Sequence, residues 1–434
     1  MTISLSLKKT RIALCVIAGM VVGFVSTTCL RENAVVCTLD MMFLLCIILT
    51  VGVDVTKMNA STLIRAIVLL GLFARLIVAI LGTFGPVQYR MLFNEADQST
   101  FIKIANQYFR GDFGSKSTRY PFVINYIFHI FGPYEIMVRI SNIILWYLGF
   151  KVIYVAAGRR LRGKMAVLMS AFYCLLPMQI KLTAGAMRES IIALFIMITI
   201  LFLYKWMING SNFDLLLSVC TAIVATLFHT GCSAVLGVIF LTYVLWNKHT
   251  EKWSILSWKA AILFFAFLCV VPLYHLFLLV FSNFNYFPRE LTIEALTSYP
   301  YLPGRSDYVI GDATAHNIIE FVWGTIYRCV YFWISPTPRF WNSPLDLVGF
   351  FGDSVPWACF FLLYIKKLKI KGGKTIGSVG LLLLVLYTFV YAWGTRNAGT
   401  AMRHRDALSG AFVLILSIMG ADCDGRYGVD GANS

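Results

Sequence analysis

Glu95 and Asp97 stand two residues apart in NEADQSTFIKIANQYFRGDFGSKSTRYPFVINYIFHIFG, a polar island over Asn94–Gly132 between long apolar runs. A carboxylate beside a membrane can act as a general base if its pKa is tuned and it reaches a hydroxyl. Taking the proton from an acceptor hydroxyl while a phosphate leaves is the chemistry of inverting glycosyl transfer. Asp97 is the candidate base, with Glu95 beside it. The plain alternative for Asp97 is an N-cap to the helix expected over Ser99–Phe109. The same two carboxylates are where a divalent cation could sit, although nothing in the sequence demands a metal or any other cofactor.

A second set of residues suits phosphate. Arginine grips phosphate through a planar fork, whereas lysine acts as a point charge. Arg188-Glu189 lies in AMRES, just after an expected turn at Pro177–Lys181. His229 ends the apolar run ATLFHTG, and Arg403-His404-Arg405 lies in MRHRD. The arginines would hold a phosphate, Glu189 would orient Arg188 or a substrate hydroxyl, and His229 would donate a hydrogen bond to phosphate or sugar. Arg188-Glu189 also reads as a simple helix start, where a glutamate is favoured by the dipole. The segment Ser282–Ser343 carries only arginine as its basic residue: Arg289, Arg305, Arg328 and Arg339. Headgroup contacts, or pairing with Glu290, Glu294, Asp307 and Asp312, are the alternative there. Arg75 and Asp353 fall inside apolar runs, where charges are costly and usually paired; each could be the other's partner.

These residues must be positioned by a membrane protein. Of the 434 residues, 59% are hydrophobic and 13% charged, and the mean hydropathy is +0.76. Soluble domains average about 45–50% apolar and roughly 25% charged. Apolar runs long enough to cross a bilayer, roughly 17–25 residues, lie at 11–30, 62–84, 134–157, 185–206, 256–282, 345–365 and 376–394. Shorter ones lie at 41–55, 165–180, 213–228, 231–247 and 407–421. The expected fold is an all-α integral membrane protein of about twelve spans, one polytopic domain over 1–421. External loops at 85–133 and 282–343 would carry interfacial or re-entrant helices, and 422–434 would be a short disordered cytoplasmic tail.

The net charge of +16 fits cytoplasmic basic loops better than nucleic-acid binding. Lys8, Lys9 and Arg11, then Arg159–Lys164, Lys248 with Lys252, and Lys366–Lys374 all fall on one side, with both termini cytoplasmic. This parity requires that Tyr120–Phe131 and Asn317–Ser335 do not cross fully. The N-terminal KKTRIALCVIAGMVVGF reads as an uncleaved first span rather than a cleaved leader. Most cysteines sit in apolar runs and read as small buried hydrophobes; Cys29 and Cys37 could pair.

Asn94–Gly132 resembles the first external loop of the GT-C superfamily, polytopic glycosyltransferases that use polyprenyl-phosphate-linked sugars. The resemblance rests on Asp97, Phe101, Ala105, Gly111, Tyr120-Pro121 and Gly132, and it extends through Val138–Pro177 to cover about the first half of the chain. It implies Asp97 as catalytic base, and Tyr120 of the same motif joins the candidate substrate- or phosphate-binding residues. The sequence departs from the pattern in placing this loop after its third span and in having Phe101 where tyrosine is commoner. AMRES, the span ending at His229 and MRHRD are instead similar to O-antigen polymerases of the Wzy type, which handle undecaprenyl-pyrophosphate glycans. Three functions follow: a single-sugar transferase of the inner membrane acting on its outer face, a repeat-unit polymerase, or a flippase for a lipid-linked sugar. The implied partners are a polyprenyl-phosphate-linked sugar, a glycan acceptor and the lipid bilayer, with no nucleic acid.

Overall fold

A computed structural model describes residues 34–113, 119–247, 250, 252–254, 292–297, 306–309, 314–368 and 374–423. The expected spans at 11–30 and 256–282, the tail from 424, Arg289, Glu290, Arg305 and Asp312 lie outside the described residues, as does the Cys29–Cys37 pairing. The regular secondary structure of the described residues is helical apart from one two-residue antiparallel pair, Trp246–Asn247 with Lys252–Trp253, and isolated bridges. Among the described residues five helices are long and apolar enough to cross a membrane: Thr62–Phe84, Glu135–Ala156, Glu189–Asn209, Pro344–Leu368 and Thr375–Gly394. Gly163–Leu175 and Pro177–Ala184, bent by 50°, make a sixth if taken as one span. Two of the twelve expected spans lie outside the described residues, and of the other ten five, or six with the bent pair, have this length and apolarity. The shorter apolar runs still form helices, at Asn212–Phe228, Ser233–Leu245 and Ser409–Cys423.

The chain falls into two compact units. The first is drawn from Met1–Leu148, Arg159–Leu175 and Ile180–Met187, the second from Gly149–Gly158, Leu176–Gln179 and Arg188–Ser434.

In the first unit, Thr62–Phe84 shows how sequence sets burial. Ser61 caps it by accepting from the Ile64 N–H, and Gly85 ends it. Ile64, Val68, Gly71, Arg75, Val78 and Gly82 recur at three- and four-residue spacing and are buried, while Leu63, Leu70, Phe73, Ile77 and Ile80 face outward. An outward apolar face of this kind suits lipid. Two glycines on the inward face admit guanidinium groups. A Cβ on Gly71 would lie 2.9 Å from the Cys174 carbonyl, and one on Gly82 would lie 2.5 Å from Arg139 Nη1.

That space holds Arg75, which bonds Thr183 Oγ1 at 2.7 Å and the carbonyls of Gly71 and Cys174. Its guanidinium lies 3.8 Å from the centre of the Trp146 ring. Arg75 thus finds partners for Nε and Nη1 within its own unit, its buried Nη2 making no hydrogen bond among the described residues, and Asp353 pairs with Arg405 instead; the suggested Arg75–Asp353 pair does not form.

In the second unit the span Pro344–Leu368 contains a π-turn at Phe350–Ser354. Pro356 lacks the N–H that would bond the Gly352 carbonyl, which favours such a break. Asp353 lies in this turn and is buried. The cysteines are less uniform than expected. Cys174 and Cys232 are buried, but Cys46, Cys220 and Cys359 are exposed, because an apolar helix in a bundle also has an outward face.

Candidate functional site

In the first unit the helix carrying the acidic pair runs Ala96–Phe109, with Asp97 in its first turn and Glu95 at the cap position. Asp97 is thus inside the helix rather than its cap, because the helix starts three residues earlier than expected. A carboxylate there is favoured by the helix dipole. Glu95 makes an ion pair with Lys181 at 2.7 Å.

The residues flanking Asp97 are tied down by a buried network. Gln98 donates to Glu135 Oε1 at 2.6 Å and accepts from the Ala186 N–H. Arg139, fully buried, binds Glu135, Asn94 Oδ1 and the Ala184 carbonyl. Asn94 in turn donates to the Gly82 carbonyl. Asn142 holds the carbonyls of Gly185 and Met187 and donates to the Tyr120 hydroxyl at 3.1 Å.

Each position of the sequence pattern has a structural task. Phe101 and Ala105 follow Asp97 at four-residue steps and are buried. The Phe101 ring meets Tyr120 edge-on at 5.4 Å. Gly111 and Gly132 end the helices Ala96–Phe109 and Tyr120–Phe131 with φ of +86° and +87°, backbone that favours glycine. Pro121 sits in the first turn of the second helix, where its missing N–H costs nothing. Tyr120 is 1% exposed, so it packs rather than presenting a surface, while Asp97 stays partly exposed.

In the second unit five of the expected residues come together. The Pro177–Lys181 stretch is helical, not a turn. Arg188 precedes the helix Glu189–Asn209, and its side chain donates to the Phe228 carbonyl at 3.0 Å. Glu189 is buried and binds Arg403 through one carboxylate oxygen; its Oε2 makes no hydrogen bond among the described residues. His229 closes Asn212–Phe228 and opens the short 3-10 turn Thr230–Cys232. The ring centres of His229 and His404 are 5.0 Å apart. Burial first, then the electrostatic effects of His229 and of the cationic Arg403 and Arg188, hold the His404 pKa well below the usual histidine value.

Arg403 and Arg405 part company here. Residues two apart on a helix point about 200° from one another. In Ala398–Asp406, Arg403 reaches Glu189 and Arg405 turns into the interior. Arg405 is 0% exposed and binds Asp353, Ser354 Oγ and the carbonyls of Phe332, Trp333 and Ser335. Its N–H groups are committed to the protein, so the expected shared phosphate grip with Arg403 gives way to a structural tie. Arg328, in the helix Ile318–Ile334, is also buried and lies 4.2 Å from the centre of the Trp393 ring.

Sequence reasoning missed Gln98, Arg139 and Asn142 in the first unit and Tyr387, Tyr391 and Cys232 in the second. Glu135 and Arg139 do show the i,i+4 acid–base spacing of a helix pair. The tyrosines sit inside an apolar run and gave no such signal. Among the described residues no group of three or more His, Cys, Asp or Glu side chains could hold a metal ion.

Residues 115–275 match the family model described as dolichyl-phosphate-mannose-protein mannosyltransferase, a polytopic membrane glycosyltransferase family of GT-C type. Comparison with curated proteins and with solved structures finds no match. The matched stretch includes Tyr120, Arg188, Glu189 and His229, and it begins downstream of Glu95 and Asp97. The GT-C resemblance read from the sequence is the one this match finds. With the apolar helices, it supports a multi-pass membrane glycosyltransferase of the GT-C kind.

Proposed function

We propose that the chain transfers a single sugar from a polyprenyl-phosphate-linked donor to a surface glycan or lipid-linked acceptor, on the extracytoplasmic face of the inner membrane. The observation that carries this is the family match over 115–275, which takes in Arg188, Glu189 and His229 of the polar cluster. Asp97 is the base that takes the proton of the acceptor hydroxyl as the sugar's anomeric carbon leaves phosphate, so the sugar inverts. Arg403 and Arg188 carry the phosphate charge, with Glu189 orienting Arg403 and His229 and His404 completing the grip. Glu95, paired with Lys181, sets the charge near Asp97. Arg405 and Tyr120 act as supports.

The test is the surface glycan of a deletion strain, read by gel ladder and mass spectrometry and compared with the strain restored by wild type. A full ladder lacking one sugar is expected. A lost ladder with a single repeat unit remaining would favour the polymerase, and an unchanged glycan would contradict the proposal.

A further inference from the structure

Two hydrogen-bond groups converge on one nitrogen of His229. The Gly231 backbone N–H donates to His229 Nδ1 at 3.1 Å. The Tyr391 hydroxyl lies 3.0 Å from the same nitrogen. A backbone N–H can only donate, so Nδ1 must offer its lone pair. In a neutral imidazole the proton then sits on Nε2.

The surroundings hold this arrangement in place. A Cβ on Gly231 would lie 2.6 Å from the Tyr391 ring, so only glycine lets that ring lie against the turn. The Tyr391 ring stacks on Tyr387 at 4.1 Å, and Tyr387 donates to the His404 carbonyl. Cys232 Sγ is 3.5 Å from the Tyr391 hydroxyl. With Cys232 as donor, the Tyr391 oxygen accepts from sulfur and its proton points to His229.

We propose that Tyr391, with the Gly231 amide, is a positioning residue that fixes His229 as the Nε2–H tautomer, and that this N–H is what His229 offers to an anionic phosphate oxygen of the donor. The second half rests on the phosphate-grip reading above. A ring free to exchange tautomers would present a lone pair to phosphate part of the time, which repels an anion. Fixing the tautomer makes the ring a permanent donor without giving it a charge.

The test uses the full chain in lipid nanodiscs with 15N-labelled histidine. Nitrogen NMR reports which ring nitrogen of His229 is protonated, with His229→Gln supplying the assignment. Affinity is measured for undecaprenyl phosphate alone. The wild type is expected to show protonated Nε2, and Tyr391→Phe a mixture of tautomers. Glutamine places an amide nitrogen near the Nε2 position and asparagine near Nδ1. His229→Gln is therefore expected to hold affinity within about threefold, and His229→Asn to lose at least about tenfold, as for one hydrogen bond to a charged group. A wild type protonated on Nδ1, or equal affinities for the two variants, would overturn the proposal. Protonated Nε2 with no binding of undecaprenyl phosphate by the wild type would overturn the phosphate grip and the donor role, leaving the tautomer assignment standing.

Discussion

At the scale of single residues, neighbours in sequence are given different work by geometry. MRHRD reads as one cationic cluster, yet helix geometry separates Arg403 from Arg405. Arg403 is the partner of Glu189, whereas Arg405 is enclosed with Asp353. The Arg188, Glu189, His229, Arg403 and His404 set was legible as residue types suited to phosphate. Tyr391 was not, because a tyrosine in an apolar run looks like packing until the fold brings His229 to it.

His404 gives a prediction at this scale. Its folded pKa is depressed, so the folded chain keeps the ring neutral while the unfolded chain takes up a proton below about 6.5. The contribution is fully present above that value and is lost as pH falls below it. The melting temperature in detergent is expected to fall as pH drops from about 7 to about 5. His404→Gln should flatten that slope. An equal slope in the variant would remove His404 as its source.

At the scale of elements, boundaries were largely readable and close packing was not. The expected span 62–84 is the helix Thr62–Phe84, and 134–157 is Glu135–Ala156. Apolar runs bounded by Ser61 and Gly85, or by Pro133, fix such limits through composition and caps alone. The helix Tyr120–Phe131 has 12 residues, about 18 Å against a hydrocarbon core of roughly 30 Å.

Arg139 was hidden in one of these spans. Its role depends on Gly82 leaving room for the guanidinium on a separate helix, which no local pattern reveals. Gly82→Ala should push Arg139 off Asn94 and Glu135 and loosen the start of the Asp97 helix. The expected cost is about 1–3 kcal/mol for an overpacked site, read as a lowered melting temperature with a matching loss of transfer in membranes. A variant with wild-type stability and transfer would show that the network does not position Asp97.

At the scale of the whole molecule, the composition and the apolar helices support a multi-pass membrane protein, and the family match over 115–275 supports the glycosyltransferase reading. Among the described residues the expected spans are helical, five of them long and apolar enough to cross a membrane, while the apolar runs near 213–228 and 407–421 form helices of 17 and 15 residues. The proposed reaction turns on Asp97, which lies upstream of the matched residues on a helix whose first turn is pinned by Asn94, Gln98 and Arg139. Its partial exposure leaves it able to meet a hydroxyl. The most direct measurement is release of undecaprenyl phosphate from its sugar-linked form by membranes carrying wild type or Asp97→Asn, with acceptor present and with donor affinity measured in parallel. The account predicts a fall in turnover of about 10²–10⁴-fold, the usual contribution of a general base, with expression and donor affinity unchanged. Turnover within about threefold of wild type, far below the contribution of a general base, would contradict it.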